Sequence, residues 1–335
     1  MSHNPSDSIV KTSQQRLIKK IRIELGSICL KALENPNVIE IMLNSDGTLW
    51  IEELGKPIVH VGSMQESKVK ALLGTIASYL NTTITASNPI LECELPLDGS
   101  RFEGLLPPIV NKPTFTIRKK ASQIFTLEEY YQQKVLSKEQ YYQIKKSIYN
   151  PKDLEQSKKN ILIVGGTGSG KTTLANAIID GIVQQTPDDR VVIIEDTAEI
   201  QCAAKNAVIL RTSDKVNMLT LLRATMRLRP DRILVGEVRG AEALDLIKSW
   251  NTGHSGGVAT IHANSARAGL TRLELLISEA TQAPMQTLIS EAINIVIFIT
   301  KTKNGRIVKE VIEVKGYDQS KKEYIIQEHS TIPIN

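Results

Sequence analysis

Three cysteines in 335 residues, none in a Cys-x-x-Cys pair, exclude a disulfide framework and a zinc ribbon. Cys29, Cys93 and Cys202 read instead as small apolar residues of a reducing compartment. Aromatic side chains are scarce too, at 4%. The one dense patch (Tyr130, Tyr131, Tyr141, Tyr142, Tyr149) carries no surplus of positive charge. A single-strand binder needs stacking faces interleaved with Lys and Arg, so direct nucleic-acid binding is not expected. Long apolar runs are also missing: 161–164 and 295–299 fall well short of the roughly 18 residues that cross a bilayer. The polar opening stretch, MSHNPSDSIVKTSQQ, has no signal-peptide core. These absences lead us to expect a soluble, cytoplasmic chain with no transmembrane segment.

What is present is ordinary globular material, 41% hydrophobic and 23% charged, long enough for two domains that each bury a core. Lys and Arg number 41 against 36 Asp and Glu. The surplus is +2 over residues 1–120, zero over 121–157 and +3 over 158–335, so no basic block exists.

Residues 10–34 place Leu17, Ile21, Leu25, Ile28 and Leu33 at helical spacing. Two alternating runs, 38–43 and 48–52, flank the turn signal Asn44-Ser-Asp-Gly47 and predict a hairpin. A helix over 66–80 and strands at 100–106 and 114–118 complete an α+β domain over 1–118. The segment 119–157 carries two capping-box patterns, Thr126-x-x-Glu129 and Ser137-x-x-Gln140, and reads as a helical linker. Pro151 and the polar stretch after it mark the boundary. Over 158–335 strand and helix alternate: apolar runs at 161–164, 191–195, 232–235 and 258–261, with helices at 172–183, 218–228 and 242–250. That pattern predicts a largely parallel sheet covered on both faces. Runs at 294–300, 307–315 and 322–327, with Asn304-Gly305 as a turn, add a small antiparallel piece.

The chemistry starts at Gly165-Gly166-Thr167-Gly168-Ser169-Gly170-Lys171-Thr172, followed by Thr173. It fits G-x-x-x-x-G-K-[ST] between an apolar strand and a helix, the context that motif requires. Its glycines let the backbone aim N–H groups at phosphate oxygens, and the helix adds its positive end. Lys171 is expected to reach the β- and γ-phosphates and Thr172 to hold Mg²⁺ through its hydroxyl. Glu237 ends the strand of Arg232-Ile-Leu-Val-Gly-Glu237 at the edge where such sheets bind ligands. It either orients the attacking water or begins a loop as a solvated carboxylate. Glu195 and Asp196 end another strand; Glu195 is the better Mg²⁺ ligand, and Asp196 serves equally well as a cap. His262 directly follows a strand and is placed to sense the γ-phosphate; His254, in a glycine loop, reads at least as well as structural. Arg211, Arg223, Arg227, Arg229, Arg232 and Arg239 cluster around the two carboxylate elements. Most fit salt-bridged surface, and one is a candidate for contact with a neighbouring subunit's nucleotide.

Together these elements resemble the secretion-superfamily ATPases, the hexameric motors of type II and IV secretion, type IV pili and conjugation. GGTGSGKTT is similar to their Walker A, IIEDTAEIQ to their Asp box, LRPDRILVGEVRG to their atypical Walker B and GHSGGVATIHAN to their His box. RLRPDRILVGEVRG with TGHSGGVATIHANSARAGLTRLE most resembles the TrbB-type conjugal transfer branch. The resemblance implies a RecA-like P-loop domain with a smaller N-terminal PAS-like α+β domain, a homohexamer, and ATP with Mg²⁺ as substrate and cofactor. It implies that Glu237 activates water, that Glu195 assists at the metal and that His262 couples phosphate state to movement. It also carries over Arg101 and Arg118 as N-terminal arginines that reach the nucleotide. The implied partners are other subunits of a conjugation or type IV secretion machine at the cytosolic face of the inner membrane. The tetracysteine module of type II ATPases is absent, so zinc is not expected. A pilus retraction ATPase and a RecA-like hexameric DNA translocase are the alternatives.

Overall fold

The computed structural model describes residues 5–120, 124–151, 158–213, 215–303 and 305–329. Contacts divide the chain into two compact units, Met1–Gln123 and Ile124–Asn335.

The first unit holds helix α1 (Pro5–Glu34), strands β1 (Val38–Leu43), β2 (Thr48–Glu53) and β3 (Val59–Ser63), helix α2 (Glu66–Tyr79), and strands β4 (Ile90–Glu94), β5 (Arg101–Leu105) and β6 (Thr114–Arg118). The strands form one antiparallel sheet in the order β3-β2-β1-β6-β5-β4. Both helices bury an apolar stripe against inward residues of that sheet, among them Ile41, Phe102, Phe115 and Ile117. The β1–β2 turn forms as expected, with the Gly47 amide donating to the Asn44 carbonyl and Asp46 accepting from the Thr48 amide. Helix α1 departs from the expected stripe because its backbone breaks at Gly26 (φ 80°, ψ 166°). Beyond the break Cys29 and Ala32 are buried, while Ile28 is turned outward. Strands β3 and β4, short and largely exposed, were not foreseen.

The second unit begins with helices α3 (Leu127–Gln132) and α4 (Lys138–Ile148). Both capping boxes form: Thr126 and Ser137 accept from the amides of Glu129 and Gln140, whose side chains return the bond. These helices pack on the helix after the glycine loop, with Leu127, Tyr130, Ile144 and Ile148 in a shared core. Most of the segment sketched as a linker is thus part of this unit, because its apolar face has a helix to bury against; residues 152–157 lie outside the described residues.

There follow β7 (Ile161–Val164), α5 (Lys171–Gln185), β8 (Val191–Glu195), β9 (Ala207–Arg211), α6 (Met218–Thr225), β10 (Arg232–Val235), α7 (Glu242–Asn251), β11 (Val258–Ile261), α8 (Ala266–Ser278), α9 (Gln286–Ala292), β12 (Ile295–Thr302), β13 (Gly305–Asp318) and β14 (Glu323–Glu328). They form a sheet in the order β14-β13-β12-β7-β11-β10-β8-β9. The run from β12 to β9 is parallel throughout, and β13 and β14 extend it antiparallel. Asn304, predicted in the β12–β13 turn, lies outside the described residues. Strand residues alternate between two cores: Ile161 and Ile163 face α3, α4 and α5, while Leu162 and Val164 face α7, α8 and α9. Burial on both faces explains why β7, β8, β10 and β11 read as unbroken apolar runs. The parallel arrangement brings the chain segments after β7, β11, β10 and β8 to one edge, side by side. The sequence reading omitted β9, α8 and α9.

Candidate functional site

The glycine loop leaves β7 and closes on α5, whose N-terminal end opens onto it. Gly170 caps the helix in the left-handed region (φ 96°), which a residue with a Cβ adopts only under strain. A Cβ at Gly165 would collide with the Ile299 carbonyl oxygen. Gly166, Thr167 and Gly168 form an exposed lip, while Gly165 and Ser169 are buried and Thr173 is half-buried. The Ser169 hydroxyl is buried without a hydrogen-bond partner. The Lys171 ammonium folds back into the loop, donating to the carbonyls of Gly165 at 3.1 Å and Gly166 at 3.0 Å.

From Lys171 a line of side chains runs along the carboxyl edge in the order of the strands beneath. Lys171 Nζ lies 3.4 and 3.5 Å from the ring nitrogens of His262, after β11. His262 Nε2 lies 2.7 Å from Oε1 of Glu237, after β10. The other carboxylate oxygen, Oε2, accepts from Arg239 Nε at 3.0 Å and Nη2 at 2.7 Å. Arg239 Nη1 completes the line 3.3 Å from Asp196, after β8. These partners fit a histidine that donates from Nε2 to Glu237 and accepts from Lys171 at Nδ1. The line spans four neighbouring strand ends, so its order follows from sheet topology.

Beside it, the Thr172 hydroxyl donates to Glu199 Oε2 at 3.1 Å. Glu195 does not reach Thr172. It is 2% exposed; Oε2 accepts from the amides of Glu199 and Ile200, both at 2.9 Å, and Arg211 Nε lies 3.4 Å from Oε1. These bonds hold the turn that presents Glu199. Asn176 secures the same turn from α5, donating to the Glu199 carbonyl and accepting from the Gln201 amide. A hydroxyl and one carboxylate next to the glycine loop suit Mg²⁺, a hard cation that keeps waters and takes phosphate oxygens. No group of three or more His, Cys, Asp or Glu able to hold a metal occurs among the described residues.

In the first unit, Arg101 and Arg118 stand directly opposite each other across β5 and β6. Like charges in that register destabilise a sheet unless anions sit beside them. Glu92 supplies one, at 2.8 Å from Arg101, and Glu40 faces Arg118 across β1 and β6. Burial pushes the Glu40 carboxyl up, Arg118 pulls it down and Glu52 raises it again, leaving it above its ordinary value.

Three further predicted residues have structural partners, whereas Arg227 and Arg229 are exposed. His254 Nδ1 is 3.0 Å from the Pro230 carbonyl, at the amino edge. Arg223 pairs with Asp245 and Arg232 with Asp189. Sequence reasoning missed Glu199, whose only signal was its place in the Asp-box stretch. It also missed Arg306 of β13, whose guanidinium lies 3.3 and 3.4 Å from the Gly168 carbonyl across 138 residues of sequence. No spacing could have found that contact.

Residues 25–323 match the family described as type II/IV secretion system protein. The chain is 52% identical over 305 residues to a conjugal transfer protein TrbB of Rhizobium radiobacter. It is 50% identical over 305 residues to a probable conjugal transfer protein TrbB of Sinorhizobium fredii. Each alignment covers 91% of this chain and 92% of the relative. Among solved structures, the pilus retraction motor PilT with bound ADP is similar at a TM-score of 0.61 and 19% identity, covering 91% of this chain and 82% of that one. That likeness concerns the fold.

Proposed function

The chain belongs to the type II/IV secretion system protein family, and on that premise we propose that it is an ATPase that hydrolyses ATP to ADP and phosphate to drive a conjugation or type IV secretion machine. The observation that carries the reading is the unbroken line from Lys171 through His262 to Glu237 beside the glycine loop. The loop amides and Lys171 bind the β- and γ-phosphates. Glu237 accepts the proton of the water whose oxygen bonds to the γ-phosphorus as the bridging P–O bond to the β-phosphate breaks. His262, bonded to both, registers whether the γ-phosphate has left. Thr172 and Glu199 would hold Mg²⁺, which when bound neutralises phosphate charge.

The identity of about half to both conjugal transfer proteins favours the conjugation branch over pilus retraction. In this reading the N-terminal unit is PAS-like, the second is RecA-like, and the chain assembles as a homohexamer. In the same reading Arg101 and Arg118 are nucleotide-binding arginines. No helix among the described residues is long and apolar enough to cross a membrane. Attachment at the cytosolic face of the inner membrane would therefore go through other subunits of the machine. The test is Mg²⁺-dependent phosphate release by the full chain and by Lys171→Ala. Full activity in the variant sinks the assignment, and light scattering with ATP reads the subunit count.

A further inference from the structure

Arg239 follows Glu237 by two residues and pairs with it through two guanidinium nitrogens. Both of its contacts fall on one oxygen, Oε2, at 2.7 and 3.0 Å. The arginine is itself anchored. Its backbone amide and that of Gly240 donate to Glu242 Oε1 at 2.7 and 2.9 Å, in the first turn of α7. Its remaining guanidinium nitrogen reaches Asp196 at the end of β8. Arg239 thus ties the end of β10 to a neighbouring strand through its guanidinium and to a helix start through its backbone amide.

A glutamate side chain has three rotatable bonds, and a base that samples several rotamers meets its water in few of them. With Oε2 filled by Arg239 and Oε1 bonded to His262, the Glu237 carboxylate is held in one orientation. It retains a lone pair on Oε1 to take a proton. Resting on the reading of Glu237 as the water-activating base, we propose that Arg239 is a positioning residue for ATP hydrolysis, acting through Glu237 and not on the phosphates.

The experiment measures steady-state ATP hydrolysis by the full chain and by Arg239→Ala, Arg239→Lys and Glu237→Gln. Binding of a non-hydrolysable ATP analogue and melting temperature serve as controls of folding. Arg239→Ala is expected to lower kcat about 10- to 100-fold with KM for ATP nearly unchanged, since misplacing a base costs turnover and not ground-state binding. Arg239→Lys, which keeps the charge without the fork, is expected to fall in between. Free guanidinium added to Arg239→Ala is expected to restore several-fold of the lost rate, which a merely structural role would not allow. Unchanged or raised turnover in Arg239→Ala, with Glu237→Gln inactive, overturns the proposal and leaves the ATPase reading standing. A loss that guanidinium does not rescue overturns it as well. Full activity in Glu237→Gln overturns both the proposal and the role of Glu237 on which it rests.

Discussion

The two edges of the parallel sheet hold the same kinds of charged residue in opposite conditions. At the amino edge Arg232 is fully buried, bonded to Asp189 at 2.7 Å, to the Gly256 carbonyl and to the Thr186 hydroxyl, while Lys158 binds the other oxygen of Asp189. Burial raises the Asp189 carboxyl, but hydrogen bonds from Lys158, Arg232 and Thr186 outweigh it and hold the group below its ordinary value. At the carboxyl edge the Arg239 side chain is 54% exposed and that of His262 46%. Each charge there has a partner on a different strand end, and water can reach several of them. A buried, fully bonded cluster fixes strands in place, whereas an accessible line of charges can exchange partners with a ligand. Residue type does not separate these roles; burial and the number of bonds do.

Damage at the two edges is expected to separate into stability and turnover. The largest effect belongs to Asp189→Ala, which leaves Arg232 buried without its counter-ion. Removing one partner of a buried pair costs about 3–5 kcal/mol. Urea denaturation is expected to show that loss, while turnover per folded molecule stays near the parent value. Glu237→Gln is expected to do the reverse, lowering turnover at least about 100-fold, or roughly 3 kcal/mol of barrier, with little change in unfolding midpoint. A Glu237→Gln protein that unfolds as easily as Asp189→Ala would erase the distinction between the edges.

The sequence made the amino edge nearly invisible and the carboxyl edge plain, for physical reasons. Buried parallel strands are continuous apolar runs, so β7, β8, β10 and β11 stood out, and the residues after them marked the site. Strand β9 lies partly exposed at the sheet edge but carries an apolar run of its own, 207–210, so exposure does not account for its omission. Helix α8 does carry helical spacing in Leu270, Leu273, Leu276 and Ile277, so its omission has no physical ground. Which of Glu195 and Glu199 meets Thr172 depends on a turn held by two backbone amides, and composition cannot report that geometry. The partners Asp189 and Arg232 lie 43 residues apart and meet only because β8 and β10 are neighbours.

A second amino-edge cluster gives the comparison a pH axis. Glu313 of β13 bonds Lys159, lies 2.9 Å from Lys315 and is within 3.7 Å of His329. Burial raises its carboxyl, yet hydrogen bonds from Lys159 and Lys315 prevail and hold it down at about 2, against an ordinary value of 4.5. A carboxyl depressed in the folded chain stabilises above its unfolded pKa, and that stability is lost as pH falls toward the folded one. The contribution, on the order of 3 kcal/mol, is therefore complete at neutral pH and disappears between about 4.5 and 2. Glu313→Gln is expected to be less stable at neutral pH and to show a flatter acid limb in urea midpoints. An acid limb identical to the parent's would show that the cluster contributes nothing.

The smallest effect tests whether α4 belongs to the second unit's stability at all. The Ser137 hydroxyl accepts from the Gln140 amide at 3.2 Å, and the Gln140 side chain accepts from the Ser137 amide at 2.9 Å. Gln140 also donates to the Val308 carbonyl at 3.2 Å, tying the first turn of the helix to β13. Losing an N-cap hydroxyl costs about 1 kcal/mol when the helix folds with its domain. It would cost the domain nothing if α4 were an independent linker, since the helix could fray alone. Ser137→Ala is therefore expected to shift global unfolding of the second unit by about 1 kcal/mol. Amide exchange confined to 138–148, with the global transition unmoved, would return those residues to a linker.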